Sequence, residues 1–177
     1  MTLKEFKDYP NTETPIDAEN LNFNFNELGK LQNAITVGLA ADFVQSTGSA
    51  VKIPIDTILC KLGDKLTFSS SDNSIVIGEG INYVEVSGHI MQKSSHSNLC
   101  GLYISKNAMS LNSAVAVSFS QINTVNVMTC TAISPTIVKV NPGDKFYLAG
   151  YSDQNGKTVT YTPYNGKSNY LTVKVIS

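Results

Sequence analysis

The sequence predicts a mainly β protein, an antiparallel sandwich or jelly roll that follows an extended N-terminal arm and one short α-helix. Three observations predict this fold class. Residues 51–177 alternate apolar and polar side chains in about eight to ten short runs. Turn sequences separate the runs, most clearly at Asn141-Pro142-Gly143-Asp144 and Asp153-Gln154-Asn155-Gly156. No helical pattern interrupts them, which excludes a parallel sheet with crossover helices.

The helical pattern begins after Pro15. Asp17 suits the N-cap because its carboxylate can accept from the free N–H groups of the first turn. Apolar residues then follow at helical spacing: Leu21, Phe25, Leu28, Leu31, Ile35 and Leu39. A single apolar stripe must be covered, and the sequence offers no partner helix. We therefore expect copies of this helix to pack together as a stem over residues 17–44, with residues 45–50 as a linker.

Composition excludes several classes of protein. The 177 residues carry a formal net charge of −1, which gives no electrostatic case for nucleic acid or an anionic membrane. No apolar run approaches the ~20 residues of a membrane span, so no membrane insertion is expected. The N-terminus lacks the apolar core of a secretory signal, so we expect the chain to be made in a cytoplasm and not exported by the usual route.

The three cysteines, Cys60, Cys100 and Cys130, are odd in number and widely spaced. This pattern is neither a disulfide framework nor a zinc motif. All three lie in apolar or alternating runs, so we expect them to be reduced and buried in the core.

The run from Phe146 to Tyr151 is apolar or aromatic on both faces, whereas a sandwich strand usually buries one. Two interpretations remain open: a loop covers the second face, or the strand lies on the axis of a trimer. The candidate trimer-axis residues are Phe146, Tyr147, Leu148 and Tyr151.

No pattern for catalysis, a cofactor or a metal is found. His89 and His96 are the only histidines and lack metal-ligand spacing. Gly78-Glu79-Gly80 lacks the third glycine and the helix of a nucleotide loop, and the loop at Asp153 lacks the remaining ligands of a calcium site. We therefore expect a protein that is not an enzyme.

The segment Tyr9-Pro10-Asn11-Thr12-Glu13-Thr14-Pro15-Ile16-Asp17-Ala18-Glu19-Asn20-Leu21-Asn22 resembles the N-terminal segment of many tailed-bacteriophage fibre, baseplate and head-fibre proteins. In those proteins a similar stretch opens a short helix. The resemblance implies that residues 1–16 form an extended arm that anchors the chain to the virion. The residues that would carry the anchor are Tyr9, Pro10, Thr14, Pro15 and Ile16.

The β region is similar to complement-type globular heads and to the tumour-necrosis-factor family. The similarity lies in Ile75 to Ile90, in Pro142 to Leu148 and in Asn169 to Ile176. It implies that residues 51–177 form a ten-stranded jelly-roll knob that assembles as a compact homotrimer.

Together the two resemblances imply a trimeric phage fibre or spike located on the virion. Its N-terminus would dock on a capsid, portal or tail protein, and its knob would project outward toward a host cell-surface glycan. Candidate receptor residues are Tyr161, Tyr164, Asn165 and Asn169. Two alternatives remain open: a purely structural head fibre or decoration protein with no essential receptor, and a secreted binding module.

Overall fold

The computed structural model describes residues 33–164 and 167–176, and these residues form an antiparallel sandwich of two β-sheets. The strands are β1 (Ala34–Gly38), β2 (Phe43–Gln45), β3 (Ala50–Lys52), β4 (Thr57–Leu62), β5 (Leu66–Ser69), β6 (Ser74–Ile77), β7 (Tyr83–Ser94), β8 (Asn98–Lys106), β9 (Ala114–Ile122), β10 (Met128–Lys139), β11 (Lys145–Ser152), β12 (Val159–Tyr161) and β13 (Tyr170–Val175). A 3-10 turn, Leu111–Ser113, precedes β9. Within the described residues, no helix is long and apolar enough to cross a bilayer.

The first sheet, which we call the front sheet, has seven strands around the long strand β7. One edge of β7 pairs with β10. Its other edge pairs first with β13 and then with β12. Strand β13 continues the sheet to β1 and β4, and β12 continues it to β2. The front sheet therefore contains both β1, near the start of the described chain, and β13, near its end.

The second sheet, the back sheet, has the order β5-β6-β11-β8-β9. Strand β3 also pairs with β11, beside β6. Strand β7 confirms the alternation predicted for residues 51–177: Val84, Val86, Gly88 and Ile90 face the interior and their neighbours face outward. The Asn141–Asp144 turn is also confirmed, since Gly143 has a φ of +85° and the Asp144 N–H bonds to the Asn141 carbonyl at 3.1 Å.

The core between the sheets is built mainly from aliphatic side chains of both. Ile35 and Val37 of β1, Val173 of β13, and Ile104 and Leu148 of the back sheet are completely buried. Burial of this kind contributes about 1.5–3 kcal/mol for each large side chain. The core therefore includes β1, which lies before the predicted start of the knob at Val51.

The predicted helix over 17–44 is wrong at its C-terminal end. Ala34–Gly38 is strand β1, and Phe43–Gln45 is strand β2. Ile35 and Leu39 do not face a stem, since they are 0% and 3% exposed in the core of the same chain. The physical reason is that residues spaced i and i+4 also share one face of a strand. The β-branched run from Ile35 to Val37 favours the strand.

The domain boundary is corrected for the same reason. The predicted linker 45–50 includes Gln45, which is 2% exposed in β2, and Ala50, which begins β3. The sandwich thus already includes Ala34–Gly38, ahead of its predicted start at Val51.

Several predicted features lie outside the described residues. These are the anchor residues Tyr9, Pro10, Thr14, Pro15 and Ile16, and the stem residues Leu21, Phe25, Leu28 and Leu31. Their roles stay predictions.

Candidate binding and assembly surfaces

The two histidines make local contacts with neighbouring side chains and backbone. His89 of β7 stacks on Tyr170 of β13 with ring centroids 5.7 Å apart, and its Nδ1 lies 2.5 Å from the Ser168 carbonyl oxygen. His96 Nδ1 lies 3.3 Å from both the Ser94 and Ser95 hydroxyls. Among residues 33–164 and 167–176, no group of three His, Cys, Asp or Glu side chains is placed to hold a metal ion.

Two aspartates fix turns of the back sheet. Asp72 pairs with Lys145 Nζ at 2.5 Å and accepts from the Ser74 hydroxyl at 2.7 Å, and these bonds hold the pKa of its carboxyl well below the usual range. Asp144 accepts from Asn107 Nδ2 and from the Asn141 N–H, and pairs with Lys106 at 2.8 Å. Burial acts to raise the pKa of Asp144, but these bonds outweigh it and the pKa is lowered. Both carboxylates are therefore held ionised as turn anchors.

The outward face of the front sheet, which we call the front face, combines polar and apolar side chains. Cross-strand pairs at its centre are Ala132 with His89 and His89 with Tyr170, and next to them Cys130 with Met91. Exposed apolar side chains lie toward its two edges, with Leu62 of β4 45% exposed and Ile137 of β10 66% exposed. Glu85 and Lys174 pair across β7 and β13 at one end of this face. An exposed sheet face of this composition is typical of a surface that a protein partner covers.

The outward face of the back sheet, which we call the back face, carries a cluster of three aromatic rings in mutual contact. Tyr103, Phe119 and Tyr151 meet edge to face, with centroids 5.6–6.1 Å apart. Gly101 makes room for this aromatic triad, since a Cβ there would lie 3.0 Å from two ring carbons of Phe119. Phe119 is 49% exposed, whereas Tyr103 is 5% exposed and burial raises its pKa. The triad therefore offers one accessible ring supported by two others.

The structure accounts for the two apolar faces of strand β11. Phe146 and Leu148 face the core and are completely buried. On the other face Tyr147 is covered by its own chain: Lys52 Nζ lies 5.6 Å from the ring centroid, and the Tyr147 hydroxyl donates to Asp72 at 3.4 Å. Tyr151 belongs to the aromatic triad. A loop from the same chain thus covers Tyr147, so this strand needs no subunit axis to explain its sequence.

Three of the four predicted receptor residues are described, and two of them are inaccessible. Tyr161 is completely buried, with its hydroxyl donating to Gln45 Oε1 at 2.7 Å. Asn169 is also completely buried, and its Oδ1 accepts from the Met91 N–H at 2.7 Å, where β7 changes partner from β13 to β12. Tyr164 is 67% exposed, and Asn165 lies outside the described residues. The prediction of a surface containing Tyr161 and Asn169 is therefore wrong.

No pattern in the sequence predicts the aromatic triad. Phe119 stands in an alternating run and Tyr151 in a run that is apolar on both faces, but their contact depends on β8 lying between β9 and β11. The alternation of Val159 with Tyr161 was the signal that could have placed Tyr161 inside.

The cysteines are free, as predicted, but only Cys100 is buried. Burial raises the pKa of the Cys100 thiol to about 11, so it remains protonated at neutral pH. The prediction of burial is wrong for Cys60 and Cys130, which are exposed on the outer strands β4 and β10.

The fold matches solved structures at low sequence identity. Murine APRIL at pH 5.0 superposes with a TM-score of 0.60 over 82% of this chain and 99% of that chain, at 6% identity. The Eiger TNF of S. frugiperda gives a TM-score of 0.57 over 82% of this chain and 93% of that chain, at 10% identity. No family model and no curated protein sequence matches the chain. The fold is thus a jelly roll of the tumour-necrosis-factor type.

Proposed function

We propose that this chain is a non-enzymatic structural subunit of a phage virion, a homotrimeric fibre or spike. Residues 1–16 attach it to a capsid, portal or tail protein, and the jelly roll projects outward. The attachment role is supported by the resemblance of residues 9–22 to phage fibre N-termini. An image of intact particles with the chain labelled near Ser177 tests it: label at the particle surface supports the role, and unlabelled particles contradict it.

The front face is the observation that best supports self-association as a trimer. It places exposed apolar side chains at both edges of one sheet, on β4 and on β10. In a closed ring each copy uses two different surfaces, one for each neighbour. Two apolar edges on one chain suit that arrangement. We therefore place the assembly surface on the front face rather than on strand β11.

We expect Ala132→Glu combined with Ile137→Asp to weaken the trimer. Both positions are exposed on β10, so the variant folds, but it places two charges where a neighbouring copy would desolvate them. Sedimentation equilibrium of the full chain should show a trimer for the wild type and monomers for the variant.

Val117→Asp is the matched control, because Val117 is 51% exposed on the back sheet. It should leave the trimer intact. A wild-type monomer, or a double variant that remains trimeric, would contradict assembly through the front face.

A host surface glycan is the ligand that the back face supports best. An accessible aromatic ring can stack on the C–H groups of a sugar, and the rings beneath Phe119 hold it in place. A purely structural head fibre or decoration protein would bind no such glycan. A secreted binding module would bind a glycan without being attached to a virion.

We expect the full chain to retain sugars on an array of host surface glycans, and Phe119→Ser to reduce the retained signal by about tenfold, equivalent to ~1.4 kcal/mol. Val44→Ser is the control, since Val44 is 54% exposed on β2 of the front sheet and lies outside the triad. Equal retention by the two variants would place the sugar site outside the triad, and no retention by the wild type would favour the purely structural role.

A further inference from the structure

One end of the sandwich interior is polar, next to the loop Ser94–Asn98. The front sheet contributes Gln92 and Thr131 to this region, and the back sheet contributes Asn98 and Ser152. These four side chains are at most 3% exposed. Polar side chains are seldom buried to this degree unless their hydrogen bonds are satisfied.

Two short hydrogen-bonded chains run through this region. Gln92 Nε2 donates to the Thr131 hydroxyl at 3.2 Å, and that hydroxyl lies 2.7 Å from the Ser120 hydroxyl. In the back sheet, Asn98 Nδ2 donates to the Ser152 hydroxyl at 3.0 Å. Cys100 of β8 lies between the two sets of hydrogen bonds, opposite Ser120 of β9 on one side and Ser152 of β11 on the other. We call these residues the interior polar site: Gln92, Asn98, Cys100, Ser120, Thr131 and Ser152.

Each amide of the site uses only its nitrogen. Gln92 Oε1 and Asn98 Oδ1 are buried and have no protein partner, and the same holds for His96 Nε2 in the adjoining loop. Exchanging the oxygen and nitrogen of either amide would leave its nitrogen unpaired instead. Unpaired buried groups of this kind are costly, and folded proteins satisfy them with a protein group or with ordered water.

We propose that the interior polar site binds ordered water, which bridges the front and back sheets through Gln92 and Asn98. Water suits the site because the hydroxyls and amides around it both donate and accept hydrogen bonds. A divalent cation does not suit it, since none of its six side chains is a carboxylate. The water bridge joins the sheets at the polar end of the interior. At the other end, aliphatic side chains pack the sheets together. This inference is independent of what the outer surfaces bind.

Oxygen-17 relaxation dispersion of water, measured on the full chain, tests the proposal through Gln92→Met. This change keeps the side-chain length but removes the amide. We expect the wild type to contain long-lived internal water and the variant to contain less. Gln121→Met is the control, because Gln121 is exposed on β9 and should leave the signal unchanged. Thr131→Val serves as a second variant if Gln92→Met fails to fold, with the same expected loss.

Three results would overturn the proposal. The first is a wild type without long-lived water, or an unchanged signal in both interior variants. The second is a higher melting temperature for Gln92→Met, which would mean that the amide oxygen is unsatisfied in a dry site. The third is a melting temperature that rises with potassium chloride but not with tetramethylammonium chloride, which would assign the site to a monovalent cation.

Discussion

Replacing Ile35 by aspartate is expected to unfold the jelly roll. Ile35 is completely buried in β1, which pairs with β13 on one side and β4 on the other. A carboxylate there would lose its hydration without gaining a partner. The expected loss is more than about 4 kcal/mol, which is most of the ~5–15 kcal/mol stability of an ordinary domain. Far-UV circular dichroism of the full chain should show loss of the sheet signal.

The behaviour of the Ile35→Asp variant distinguishes a core position from a stem position for Ile35. If Ile35 faced other copies in a helical stem, Ile35→Asp would yield folded but dissociated knobs. Ala41→Asp is the control for the added charge, since Ala41 is exposed between β1 and β2 and should keep the fold. Leu28→Asp tests the predicted stem separately, and we expect it to alter association but not folding. A folded Ile35→Asp variant would contradict the placement of β1 in the core.

The β class was predictable because each strand buries one face, so the sequence alternates with a period of two. The alternation of Val84, Val86 and Ile90 identified β7, and Pro142-Gly143 identified the turn before β11. The start of the domain was not predictable in the same way. Ile35 and Leu39 fit a helical stripe and a strand face equally well, and only pairing with β13 and β4 decides between them.

The surfaces were less predictable than the fold because they depend on which strands are neighbours. Tyr103, Phe119 and Tyr151 are separated by many residues, and only the order β11-β8-β9 brings their rings together. Asn169 looked like an exposed turn residue. It is buried because β7 changes partner beside it, and its amide bonds the Met91 N–H left free there. Composition alone contains no signal for such a junction.

The second large effect is expected from Gly150→Ala in β11. A Cβ at Gly150 would overlap the Tyr161 hydroxyl and lie 2.9 Å from Cε1 of the same ring. The ring cannot move without breaking its bond to Gln45 Oε1, since Tyr161 is completely buried. Overpacking costs about 1–3 kcal/mol, and an unpaired buried acceptor adds ~1–3 kcal/mol. Urea unfolding should therefore show a loss of roughly 2–6 kcal/mol.

A thermodynamic cycle with Tyr161→Leu identifies the cause of that loss. If the Cβ acts by displacing the ring, the double variant should be more stable than the sum of the two single losses allows, because the leucine leaves space for the alanine. The single Tyr161→Leu variant is itself destabilised, since it creates a cavity and leaves Gln45 Oε1 without the phenol. Strictly additive losses would mean that Gly150 is required for a reason other than its contact with Tyr161. The packing of β11 against β12 across the interior would then need another explanation.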